Sequence, residues 1–318
     1  MNTITTDQIS RRRFLALTAF VASSAFFTPR RLFADGESPV IVIRGAAVTA
    51  KITVTRLRGN VSVLEGSGGN IAVLTGKDGK LLVDAGITAS RPRISEALAG
   101  ISSDPVKHLI NTHWHFDHTD GNEWLHSQGA EIIAHENTRK HLSETTRVDA
   151  WNFTFPPSPQ GALPTRIAQD HHKLHANGET LVMKHYAPSH TDSDISVEFT
   201  QADILHVGDT WWNGYYPFID YNTGGNIDGA IRAAEENVAR VTDKSIVIPG
   251  HGPIGDKAGL VAFRDMLVVV RGKVAALKKQ GKSLQEAVAA KPTADYDAKW
   301  GGFVIDGNTF TSLVYAGV

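Results

Sequence analysis

The 318-residue chain contains no cysteine, which removes disulfide frameworks, cysteine-ligated zinc, iron–sulfur clusters and thiol nucleophiles together. Any metal must sit on histidine and carboxylate. An excess of either charge is also missing: 32 Lys and Arg stand against 33 Asp and Glu, a formal net charge of −1. Without a basic stripe, a nucleic-acid partner lacks its electrostatic footprint. No run of about 20 strongly apolar residues occurs, so no stable membrane span is expected. What is present is an ordinary globular composition, 42% apolar, 20% charged and 8% aromatic, which excludes disordered, collagen-like and coiled-coil classes.

The first 34 residues read as an address. Ser10-Arg11-Arg12-Arg13-Phe14-Leu15 leads into an uncharged, moderately apolar run ending at Pro29, with Ala34 as the expected cleavage point. The order resembles a twin-arginine signal, read by an export machinery that carries folded proteins. Residues 1–34 hold five Arg and one Asp, so 27 basic against 32 acidic residues leave the mature chain at −5. The expected location is periplasmic or otherwise exported, and the expected domain spans residues 35–318.

After a stretch near residues 35–50 read as polar, strands are expected at Ile52–Leu57, Val61–Leu64, Ile71–Thr75 and Leu81–Val83, separated by glycine-rich turns. Helices and strands then alternate: helix 91–98, strand 106–110, helix 122–127, strand 131–134 and helix 136–142. A second set follows, with strands at 179–185, 195–200 and 204–207, helix 228–241 and strand 245–248. The tail carries helix 257–279, whose apolar stripe suits packing, and a helix opened by a Ser283/Glu286 capping box. Two mixed sheets with helices on their outer faces would bury these strands, an α/β class with no internal linker.

His113-Trp114-His115-Phe116-Asp117-His118 directly follows the strand ending at Ile110. Three imidazoles and a carboxylate within six residues are too dense for a core, where every buried polar group needs a partner. A metal supplies one. His113 and His115 can aim at one ion, and Asp117 and His118 at a neighbour. His190, Asp209 and His251 each follow another expected strand; singly, such residues are common in many folds, but four strand-end positions in this order form a pattern. His171, His172 and His175 lack that spacing and read as a solvated loop.

This HxHxDH motif with His190, Asp209 and His251 resembles the ligand set of the metallo-β-lactamase superfamily, over roughly residues 55–255. The resemblance implies a four-layer αββα sandwich with its site at one edge of the sheets. By the family's pattern, His113, His115 and His190 hold one Zn2+, Asp117, His118 and His251 hold the other, and Asp209 bridges both; iron or manganese could replace zinc. Three positions depart from that pattern. Trp212 stands where β-lactamases with a cysteine ligand at the Asp209 place carry a substrate-clamping Lys, Asp120 replaces a usual Gly after the motif, and Ser193 replaces a Gly after His190. No C-terminal glutathione-binding segment is recognisable.

The implied activity is hydrolysis, with a hydroxide shared by two ions attacking the carbonyl of a small β-lactam, lactone, ester or thioester. Asp117 would orient the nucleophile and shuttle its proton. Alternatives are an iron-dependent redox enzyme of the same fold, a phosphodiesterase and a non-enzymatic metal-binding module. Trp114, Trp212 and Tyr215 are expected to contact substrate, within an aromatic group that includes Trp211, Tyr216 and Phe218. The segment from Glu65 to Asn70 is expected to be a flexible hairpin over the site.

Overall fold

A computed structural model describes residues 38–318, so the expected signal segment lies outside the described residues. The chain begins with α1 (Pro39–Ala47) and continues through β1 (Thr53–Arg56), β2 (Val61–Glu65), β3 (Ile71–Leu74) and β4 (Lys80–Val83), which pair in sequence as an antiparallel meander. After α2 (Arg91–Ile101) the chain reverses its pairing rule. β5 (Val106–Ile110) joins β4 in parallel, and β6 (Glu131–His135) and β9 (Arg166–Ala168) extend the same sheet to seven strands. Between them lie α3 (Phe116–Thr119), α4 (Asn122–Ser127), α5 (Glu136–Ser143) and a small hairpin, β7 (Thr146–Val148) with β8 (Phe153–Phe155).

A second sheet holds β10 (His171–Ala176), β11 (Glu179–His185), β12 (Ile195–Phe199), β13 (Ile204–His206) and β14 (Ile246–Ile248), antiparallel except for the last pair. The remaining helices are α6 (Ile227–Arg240), α7 (Lys257–Lys279), α8 (Leu284–Ala289), α9 (Asp297–Trp300) and α10 (Gly307–Ala316). The capping box expected at Ser283 is present, with the Ser283 side chain on the Glu286 N–H and the Glu286 carboxylate on the Ser283 N–H.

Side-chain alternation explains the stacking. Successive strand residues face opposite ways, and in β3 both directions are apolar and buried. Ala72 and Leu74 meet Leu181, Met183, Val197 and Phe199 of the second sheet, while Ile71 and Val73 meet Ile94 and Leu98 of α2 and Leu125 of α4. On the far side, Leu205 and Val247 of the second sheet pack against Ala234 of α6, Phe263 and Leu267 of α7 and Phe310 of α10. The outcome is helix, sheet, sheet, helix, the expected αββα sandwich. Among the described residues, no helix is long and apolar enough to cross a membrane.

Two segments differ from expectation. Residues 39–47 are helical and largely apolar rather than polar coil. Ser38 caps the helix by accepting from the Val40 N–H, and Pro39 occupies a first-turn position where its missing N–H costs nothing. The β-branched run Val40-Ile41-Val42-Ile43 favours strands locally, but docking overrides that weak preference. The histidine-rich segment at residue 171 forms edge strand β10 rather than a loop: Lys173, His171 and His175 stay exposed, while Leu174 and Ala176 turn toward the interior.

Phe263 is 1% exposed and Val268, five residues on and so on another face of the helix, is 43% exposed. Truncating Phe263 to Ala should cost about 3–5 kcal/mol of unfolding free energy, whereas Val268→Ala should stay within about 0.5 kcal/mol. Urea unfolding of both variants checks the layer assignment, and equal losses would refute it.

Candidate metal centre

Strand ends from both sheets deliver the side chains. The motif leaves β5 at Ile110 and turns into the short helix α3, with His115 at its N-cap position. His190 lies between β11 and β12, Asp209 follows β13, and His251 follows β14. All seven residues are buried, and their ligand atoms form two neighbouring groups: His113, His115, His190 and Asp209 in one, Asp117, His118 and His251 in the other. In each group the atoms lie within 4.8 Å of one another. Asp209 stands between them. Its Oδ2 is 3.5 Å from His190 Nε2 and 3.3 Å from His251 Nε2, and its Oδ1 is 3.1 Å from His118 Nε2. Asp117 Oδ2 sits 3.2 Å from His251 Nε2.

The imidazoles are fixed by their outward-facing nitrogens. His113 Nδ1 donates to Thr112 Oγ1 at 3.0 Å, His118 Nδ1 to Asp84 Oδ2 at 2.8 Å, and His190 Nδ1 to the Phe218 carbonyl at 2.8 Å. His115 does the same from its other nitrogen, Nε2 donating to Asp220 Oδ2 at 3.1 Å. These roles follow from the acceptors present. Each of these four rings therefore turns a bare lone pair inward. His190 Nε2 faces His115 Nδ1 at 2.9 Å, while His113 Nε2 and Asp209 Oδ1 are buried without a hydrogen-bond partner. Lone pairs at that distance repel unless positive charge lies between them. Ligands about 2.0–2.2 Å from a tetrahedral ion stand about 3.3–3.6 Å apart, and the separations here, 2.9 to 3.9 Å, bracket that range. The residues fit a pair of cations.

Electrostatics agrees. Burial opposes charge on His118 and His251, yet the carboxylates of Asp209 and Asp117, with Asp84 beside His118, outweigh it. His118 rises well above the usual histidine range, and His251 rises to about 9. Burial and the neighbouring His118 push His113 well below it. Burial would raise Asp209, but His251 and His118 hold it well below the ordinary carboxylate range. The site demands compensating positive charge, which protons supply when cations do not.

Two carboxylates that the motif does not reveal organise the centre. Asp84, at the exit of β4 with φ +69°, accepts from the Thr112 N–H at 2.7 Å, the Thr112 hydroxyl at 2.8 Å and His118. Asp220 accepts from His115, the Thr223 hydroxyl and the Asn222 N–H. A single Asp after an apolar run carries no pattern. The positive φ at Asp84 was the available signal, and it becomes visible only in three dimensions.

A cavity of about 420 Å3 opens over the ligands His115, Asp117, Asp209 and His251. Trp212 and Tyr215 line it. Trp114 does not: it is 1% exposed and its indole N–H donates to Thr223, so its ring packs behind His115 as part of the core. The glycine hairpin does lie against the site, but it is pinned rather than free. Gly69 N–H donates to the Asp117 carbonyl and Asn70 N–H to the Gly250 carbonyl. A Cβ on Gly69 would sit 2.0 Å from His118 Cε1, so glycine is required there for close approach. A third cluster, His135, Asp170 and His185, lacks a comparable geometry. Its two rings stack at 3.8 Å with a 2° interplanar angle, so their in-plane lone pairs run side by side instead of converging.

The family model of the metallo-β-lactamase superfamily matches residues 64–252, more than half of the chain. The chain belongs to the metallo-β-lactamase superfamily. It is 27% identical over 172 residues to a hydroxyacylglutathione hydrolase of Polaromonas sp., an alignment covering 53% of this chain and 57% of that protein. It is 26% identical over 183 residues to a probable metallo-hydrolase of Methanocaldococcus jannaschii, covering 56% of this chain and 84% of that protein. A metallo-β-lactamase from Pontibacter korlensis superimposes with a TM-score of 0.55 at 20% identity, over 68% of this chain and 99% of that one. The sec-alkylsulfatase Pisa1 from Pseudomonas sp. gives a TM-score of 0.63 at 14% identity, over 90% of this chain and 54% of that one. Both structural matches show the shared superfamily fold.

Replacing Asp84 or Asp220 with Asn should weaken metal retention by about 10–100-fold, because each fixes the orientation of a ligating imidazole. Competition against a chelator with elemental readout measures it. Retention equal to wild type in both variants would remove the orienting role.

Proposed function

We propose that the chain is an exported, dinuclear zinc hydrolase in which a hydroxide attacks the carbonyl carbon of a small ester, lactone, thioester or β-lactam and the acyl C–O, C–S or C–N bond breaks. The observation that carries this reading is Asp209 placed between two groups of buried, inward-facing ligands at the floor of a cavity. A pair of zinc ions held there would polarise a carbonyl and provide a deprotonated water at neutral pH. The chain's own residues supply the rest. Burial opposes the charge on Asp117, but His118 and His251 keep it ionised, and it lines the cavity, so its carboxylate can orient an attacking water and take its proton. Asp220 and Asp84 hold the rings rigid, so little reorganisation is needed during the reaction. The hydrolases among its sequence relatives support the reaction class.

Elemental analysis of purified protein should find two zinc per chain; iron with oxygen-dependent turnover would favour the redox alternative. A panel of nitrocefin, lactones, acyl esters and thioesters, bis-p-nitrophenyl phosphate and a secondary alkyl sulfate tests the bond cleaved. Turnover confined to the phosphate or the sulfate would refute the carbonyl assignment. Asp117→Ala should lower kcat by about 10²–10⁴-fold, the scale of a positioned acid or base, and unchanged activity would defeat this mechanism.

The export reading rests on Arg11-Arg12-Arg13 ahead of the apolar run. Replacing all three with Lys should strand the protein in the cytoplasm through loss of the twin-arginine address. Cell fractionation reads this, and unaltered export would refute the route.

A further inference from the structure

Among the described residues, none that lines the cavity over the ligands is Lys or Arg. Apart from the ligands His115, Asp117, Asp209 and His251, the one acidic or basic side chain among the described lining residues is the carboxylate of Glu65, anchored by the Thr55 hydroxyl at 2.9 Å. An anionic group on the part of a substrate that does not react would find no counter-charge and one repulsive neighbour. The walls are apolar instead. Trp212 lies against His251 with ring centroids 4.5 Å apart, and Trp151 stacks on Phe218 at 4.7 Å.

The wall facing these aromatics is α1. Val42, Ile43 and Ala46 line the cavity, on one side of the helix because residues three and four apart share a face. They are half-buried rather than packed away. The helix is fastened by groups that leave this face clear. Arg44 reaches Asp120 Oδ1 at 2.7 Å, with its guanidinium 5.1 Å from the Phe116 ring centroid. The Ser38 hydroxyl donates to the Trp151 carbonyl, and the Ser90 hydroxyl to the Ala47 carbonyl. Asp120 directly follows α3, so the helix is tied to the segment that carries Asp117 and His118. Its one cation is spent on that tie and does not line the cavity.

We infer that α1 is a specificity-determining wall, and that it selects substrates whose non-reacting portion is an uncharged aliphatic chain. The bond cleaved is the acyl bond of the proposed function, on which this inference rests. Each methylene moved from water into such a wall is worth about three- to fourfold in binding.

The mature, zinc-loaded protein should show kcat/KM rising at least tenfold from p-nitrophenyl acetate to the hexanoate. It should fall at least tenfold from the hexanoate to the adipoyl ester, which carries a terminal carboxylate. Ala46→Phe should cut the hexanoate-to-acetate ratio at least tenfold, and Glu65→Lys should raise the adipoyl-to-hexanoate ratio. Ratios within one preparation do not depend on how much of it is folded. Alkyl hydroxamates probe the same wall without turnover: calorimetric affinity should climb from acetohydroxamate to octanohydroxamate, and less so in Ala46→Phe. A flat chain-length series, or a preference for the carboxylate-bearing ester, overturns the inference. If no ester is cleaved while hydroxamate affinity still climbs, the wall stands and the carbonyl-hydrolase reading fails alone.

Discussion

The centre depends on a deficit of positive charge. Asp209 sits among imidazoles whose outer nitrogens are committed to Thr112, Asp84, Asp220 and the Phe218 carbonyl, so bare lone pairs and carboxylate oxygens converge on the buried floor of the cavity. Such an arrangement is costly to bury on its own. Four strand ends from two sheets arrive together to hold it.

Much of that arrangement was legible in the chain. The density of His113, His115, Asp117 and His118 after the strand ending in Leu109-Ile110 has no core explanation, and His190, Asp209 and His251 repeat the strand-end placement. Alternating apolar residues located β2 to β6 and β11 to β14 to within a residue or two. Other features were hidden for physical reasons. Asp84 and Asp220 act through positions that only folding brings within 3.1 Å of a ring. Trp114 and Trp212 are equivalent in sequence terms, since each adjoins a ligand segment, yet one faces the core and the other the cavity. The fold around each position decides this, and composition does not encode it.

Helix α1 shows a different limit. Its β-branched run gives weak local guidance, and its helical form is fixed by tertiary contacts. One of those contacts is Asp120, at a position where the superfamily commonly places glycine. The departure acquires meaning from the salt bridge it makes: a side chain beyond the ligands couples the first helix to the metal-binding turn. Trp212 is a parallel case, placing an indole where a cation would serve other substrates. Both departures lie outside the ligand set, and changes of that kind are how one scaffold supports unrelated substrates.

The ligands divide between the halves of the chain: the motif residues follow the first sheet, and His190, Asp209 and His251 follow the second. Ions seated there would rivet the two sheets at their shared rim, in addition to the apolar interior between them. Since anything that binds only the folded state stabilises it by mass action, the thermal endurance of the whole sandwich becomes a function of free metal concentration. Scarcity of the ion would loosen the seam between the halves beneath the cavity.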